Sequence, residues 1–89
     1  MIGWLRGTLL EKTDAGVLLD VGGVGYEVDM PTLGLALLPP TGEVAELHCH
    51  TVVRDDRNEL FGFVSRDERD VFRELIKVNG VGPRLGVAI

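Results

Sequence analysis

Apolar and polar residues alternate along much of the first two thirds of the chain. Val24, Tyr26, Val28 and Met30 are separated by Gly25, Glu27 and Asp29, the two-residue period of a strand with one buried face. Val17-Leu18-Leu19-Asp20-Val21 is a second candidate strand, and Ile2 to Lys12 a longer one, with Gly3 and Gly7 allowing sharp bends. From Val44 to Arg54, Ala45, Leu47, Cys49, Thr51 and Val53 share one face, opposite Glu46, His48, His50 and Arg54. Asn58 to Val64 completes a set of five strands, joined to the fourth by the polar hairpin Arg54-Asp55-Asp56-Arg57. The leucine-rich stretch from Pro31 to Pro40 reads as a connection with room for a short helix.

At Ser65 the period changes. Val71, Phe72, Leu75 and Ile76 cluster on one helical face, with Arg69, Asp70, Arg73, Glu74 and Lys77 opposite. Ser65 followed by Glu68 is a capping-box signature, each side chain serving a backbone N–H at the helix start. The helix runs into Asn79-Gly80-Val81-Gly82-Pro83-Arg84, where Gly82 suits an N-cap and Pro83 the first position of a further helix. Leu85, Ala88 and Ile89 begin a second apolar face that stops about two turns in without a stop signal, so a natural chain is expected to continue. The expected fold is mainly β with C-terminal helices: a five-stranded OB-fold barrel over residues 1–63, then the start of a helix-hairpin-helix over residues 64–89.

Composition changes this picture in one respect. A net charge of −5 is unusual for a nucleic-acid binder, but it is unevenly spread. Residues 1–63 hold four basic and ten acidic side chains, a charge of −6, whereas residues 64–89 hold five basic and four acidic, a charge of +1. Counterion release by Lys and Arg drives phosphate binding, so a grip on DNA is expected in the last third. The first residues lack a secretory leader, no apolar run reaches bilayer length, and Cys49 is the single cysteine. A cytoplasmic location away from any membrane is the expectation.

The Asn79–Arg84 segment carries the chemistry. Gly80 and Gly82 let the backbone approach a ligand, free N–H groups and the helix dipole at the second helix's start favour an anion, and Arg84 adds a full charge. Such a site reads backbone and not base edges. A lone Gly-x-Gly is more often a turn between packed helices; the capped helix, apolar Val81, Gly-Pro and basic Arg84 together favour a phosphate site over Asn79, Gly80, Val81, Gly82 and Arg84. Asp55 and Asp56, from spacing alone, solvate a hairpin turn.

Other signals weigh less. Alternation separates Cys49 from His48 and His50, so no metal site is expected, and both histidines are read as solvated or at a subunit contact. Gly22-Gly23-Val24-Gly25 leads into a strand and not a helix, which removes the dipole a dinucleotide fingerprint needs. Trp4, Tyr26, Phe61 and Phe63 could stack on single-stranded bases, but with so few aromatics most are needed for the core, and Phe72 is read as core as well. No catalytic centre and no cofactor site is expected.

Met1-Ile2-Gly3, Gly22-Gly23-Val24-Gly25-Tyr26-Glu27-Val28, Val52-Val53-Arg54-Asp55-Asp56, Leu60-Phe61-Gly62-Phe63 and Phe72 to Arg84, in this order, resemble the RuvA family. The resemblance covers essentially the whole chain. It implies a non-catalytic, structure-specific binder of four-way (Holliday) junction DNA in recombination and repair, working as a homotetramer with the RuvB motor and with the RuvC resolvase as a further partner. The RuvB-contacting C-terminal module and the second helix-hairpin-helix of that family have no counterpart in these residues. The resemblance also makes Asp55 and Asp56 an acidic pin at the junction centre, with Asp at the first position where many relatives are expected to carry the longer Glu. Three other readings stay open: a general single-strand-binding OB module, a helix-hairpin-helix enzyme, and a purely structural oligomerisation domain. Strand preference, divalent-dependent cleavage and absence of DNA affinity would distinguish them in turn.

Overall fold

A computed structural model of the chain describes residues 1–78 together with Gly82 and Pro83. The five expected strands are present as β1 (Trp4–Lys12), β2 (Gly16–Val21), β3 (Val24–Asp29), β4 (Val44–Val53) and β5 (Asn58–Phe63). A short helix α1 (Thr32–Ala36) lies in the connection between β3 and β4, and α2 (Arg66–Leu75) follows β5. The strands close into a barrel in the order β1-β2-β3-β5-β4, the arrangement of an OB-fold. Every neighbouring pair is antiparallel except β3 and β5, which meet in parallel at Asp29 and Phe61.

Closure depends on β1, which pairs with β4 through its first half and with β2 through its second. The changeover bends the strand, helped by a register shift between Leu9 and Glu11 and by Gly7, where a Cβ would run into the carbonyl of Asp20. Gly3 is different from its expected role: a Cβ there has open space, and its nearest neighbour is an Arg69 nitrogen at 4.0 Å. What matters at Gly3 is its carbonyl, which accepts the Cys49 N–H at 2.8 Å. The β2–β3 hairpin turns through Gly22 (φ 61°) and Gly23 (φ 90°). Two positive φ values are what a type I′ hairpin turn demands, which accounts for the glycine pair without any nucleotide.

Two apolar clusters share the barrel wall. Inside lie Leu5, Leu9, Leu19, Val28, Leu47 and Cys49, all nearly or fully buried. The second cluster, Phe61, Phe63 and Phe72 with Val52 and Ile76 against it, sits outside the barrel beneath α2. The two arise because β5 is apolar on both faces: Leu60 and Gly62 pair with Thr51 and Cys49 on the inner side, while Phe61 and Phe63 pair with His50 and His48 on the outer. Phe72 fills the gap, with ring centroids 5.3 Å from Phe61 and 5.0 Å from Phe63. At this separation tilted aromatic pairs add to simple area burial. Of the remaining aromatics, Tyr26 is half-buried and Trp4 is 48% exposed, so Trp4 contributes little to the core.

The start of α2 is capped by Ser65, whose Oγ accepts the Glu68 N–H at 3.2 Å. The reciprocal half of the expected box differs: the Glu68 carboxylate takes the Ser65 hydroxyl at 3.4 Å instead of a backbone N–H. The packed face of α2 also differs from its helical pattern. Val71 is 59% exposed, while Arg69, expected on the polar face, is 9% exposed. Arg69 is tolerated there because its guanidinium donates to the Gly3 carbonyl at 3.1 Å and pairs with Asp70 at 3.2 Å; a buried charge is sustainable only with such partners. Among the described residues no helix is long and apolar enough to cross a membrane.

Candidate nucleic-acid interface

The β4–β5 hairpin is the feature best placed to meet a ligand. Its last strand pair, Val53 and Asn58, stands clear of both cores, and Val53 is 76% exposed. The turn closes by a bond from the Arg54 N–H to the Arg57 carbonyl at 2.8 Å. Asp55 and Asp56 occupy the tip and are exposed.

The two flanking arginines do not neutralise them. Arg54 Nε lies 2.8 Å from Glu59 Oε1, and Arg57 Nε approaches the same oxygen at 3.4 Å. Glu59 belongs to the outer row of β5 that continues through Phe61 and Phe63, and it is 8% exposed. Among the described residues neither tip aspartate has an ion pair. The hairpin therefore sorts its charges, with cations drawn to the base and carboxylates left at the tip. Sequence reasoning passed over Glu59; the signal for it was a lone acid in an aromatic row, flanked by arginines two and five residues upstream.

The helix that leads toward the glycine-rich segment is held on the outer face of β4 and β5. Arg73 Nε donates to His50 Nδ1 at 3.1 Å, and its terminal nitrogen donates to the Cys49 carbonyl at 3.3 Å. The His50 ring also meets Phe72 edge-on at 5.8 Å. His50 is thus half-buried, because the polar face of β4 is covered here by α2. Burial lowers its pKa from the ordinary histidine value, and the nearby Arg73 and Arg69 charges lower it further.

Cys49 points into the barrel, and burial pushes its thiol pKa up to about 11 against a smaller opposing effect of Arg69. A thiol held protonated is a poor metal ligand, and His50 Nδ1 is occupied by Arg73. Of the expected phosphate-binding residues, Asn79, Gly80, Val81 and Arg84 lie outside the described residues. Gly82 is exposed with open space where a Cβ would be, and Pro83 is half-buried. A groove of about 290 Å³ elsewhere on the barrel has Glu11, Glu27 and Asp29 on its walls, the wrong charge for phosphate.

Comparison with known proteins agrees with the barrel. The model of the RuvA N-terminal domain family matches residues 1–62. Over all 89 residues the chain is 56% identical to the Holliday junction branch migration complex subunit RuvA of Pseudomonas fluorescens, 55% to that of Pseudomonas paraeruginosa and 54% to that of Stutzerimonas stutzeri. In each case it covers 44% of the relative's length, so the chain spans less than half of the curated relatives it matches. With the barrel order in place and the match running through most of the chain, this protein belongs to the RuvA family.

Proposed function

We propose that this chain is a non-catalytic DNA-binding module that holds four-way junction DNA, in keeping with relatives described as Holliday junction branch migration complex subunits. The observation that carries this reading is the sorted hairpin, with Asp55 and Asp56 at an exposed tip and their flanking arginines bound to Glu59. Two unit charges about 4 Å apart repel by about 1 kcal/mol in water and by about 4 kcal/mol at a protein surface. A protruding pair of carboxylates therefore pushes phosphates apart, which suits a point where strands separate and does not suit continuous duplex.

Attraction has to come from elsewhere. In this reading residues 64–89 open the first helix-hairpin-helix, and the backbone N–H groups of Asn79, Gly80, Val81 and Gly82, with Arg84, hold the phosphate backbone. The docking of α2 on β4 and β5 supports it, since the helix that precedes that segment packs on the two strands from which the hairpin extends. The complete assembly is a cytoplasmic homotetramer that presents the junction to the RuvB motor, with RuvC as a further partner, and it needs no cofactor of its own.

The test is fluorescence anisotropy at fixed low salt with a four-way junction, linear duplex and single strand, comparing the chain with its Asp55→Asn, Asp56→Asn form. Preference for the junction is the expected result. The variant should bind all DNA more tightly while losing junction preference. A preference for single strands overturns the reading and favours a general single-strand module, whereas a junction preference untouched by the variant removes the acidic tip as its source.

A further inference from the structure

We propose that Glu59 is a positioning residue for the acidic tip, its buried carboxylate holding Arg54 and Arg57 at the hairpin base so that Asp55 and Asp56 face DNA without their cations. The inference rests on the junction reading of the tip. The turn itself, Arg-Asp-Asp-Arg, carries two positive and two negative charges. Left to itself such a turn would cancel its own field, since each arginine has an aspartate beside it.

Glu59 removes that cancellation. Its side chain is 7% exposed, whereas those of Arg54 and Arg57 are 42% and 65% exposed. A carboxylate taken out of water is costly unless cations and donors attend it, while ion pairs between fully hydrated partners gain little. Both guanidinium groups are therefore better placed on Glu59 than on Asp55 and Asp56. The shared acceptor, Oε1, sits under both, at 2.8 Å and 3.4 Å. Glu59 is fixed in turn by its strand, opposite Val52 and in line with Phe61 and Phe63. The charge pattern at the tip is thus set by a residue that need not touch DNA.

The experiment is a salt series of junction and duplex binding by anisotropy, for the unaltered chain, Glu59→Gln, and the triple variant Glu59→Gln, Arg54→Gln, Arg57→Gln. Releasing the arginines in Glu59→Gln should lower junction preference at least threefold. The slope of log affinity against log salt should steepen by about 0.9 for each arginine that gains a phosphate. The triple variant, with no cation left at the hairpin, should regain junction preference, which a merely structural Glu59 would not allow. A second measurement needs no change at Glu59: the Arg54 Nε–H resonance should exchange slowly with water and stay in place when Asp55 and Asp56 become asparagine. If it moves with that change, Arg54 pairs at the tip and the proposal falls. If Asp55→Asn, Asp56→Asn lowers junction preference but Glu59→Gln alters neither preference nor slope, Glu59 has no positioning role. If the aspartate variant itself has no effect, the reading of the tip fails first.

Discussion

Replacing Gly62 with alanine would add one methyl group to a space the barrel has already filled. Its Cβ would lie 2.6 Å from Cγ1 of Val28 and 3.3 Å from Cδ1 of Leu47. Reaching an ordinary contact of 3.4 Å requires Val28 to retreat by 0.8 Å, yet Val28 is 1% exposed and protein interiors are packed at crystal density. Overpacking of this kind costs about 1–3 kcal/mol, offset by at most about 1 kcal/mol from the stiffer unfolded chain. Val28→Ala alone removes two buried carbons, a loss of about 1.6 kcal/mol at about 0.8 kcal/mol each, with a cavity term in addition. In the double variant the new methyl enters the space that Cγ1 vacates. The double variant's loss should therefore fall short of the sum of the two single losses by about 1–2 kcal/mol, the size of coupling seen between residues in contact. Urea denaturation of the four proteins, followed by circular dichroism, measures this. Additivity within about 0.5 kcal/mol would refute the reasoning. It would mean that Gly62 does not face the barrel interior, as a one-residue slip of β5 would produce.

Two further predictions concern titratable groups under or inside the wall. His50 has a lowered pKa in the folded chain, so between the ordinary value near 6.5 and that lower one the unfolded chain binds more protons. Stability should fall as pH drops below about 6.5 and level off once the folded pKa is passed, and His50→Gln should flatten that part of the profile in thermal melts from pH 7.5 to 5; an unchanged slope counts against the contact with Arg73. Cys49 is fully buried with its thiol pKa raised to about 11, so an aromatic disulfide reagent at pH 8 should label it only through unfolding, at a rate that rises with urea; immediate labelling would place the thiol outside the core.

The strands were legible because a barrel wall with one buried face writes a period of two into its sequence. Ala45, Leu47 and Cys49 follow it closely, as do Val28 and Met30. It fails at strand ends, where Val24 and Val53 extend beyond the core they were expected to join. It also fails where the other face of the wall is covered. Alternation turned His50 away from the barrel interior correctly, but outward meant toward α2 and not toward water. Period specifies a face; only the fold says what lies opposite.

The site was legible to a different degree. Asp55 and Asp56 stand at the exposed tip expected from the hairpin pattern. The sorting of charge beneath them was hidden, because it depends on a residue three positions past the tip being drawn into the outer row of β5. Arg69 was misplaced for a related reason. Helical period assigns charged residues to water, and nothing in a linear pattern shows that the carbonyl of Gly3, 66 residues away, waits above the packed face.

The two-sided character of β5 has a mechanical consequence. A strand gripped on one face by the barrel interior and on the other by Phe72 resists bending toward either. The hairpin grows directly from it, so force applied at Asp55 and Asp56 is delivered to a clamped beam and not to a hinged one. On the junction reading proposed above, a DNA strand sliding past such a tip would meet a prow whose supporting strand is braced from both sides.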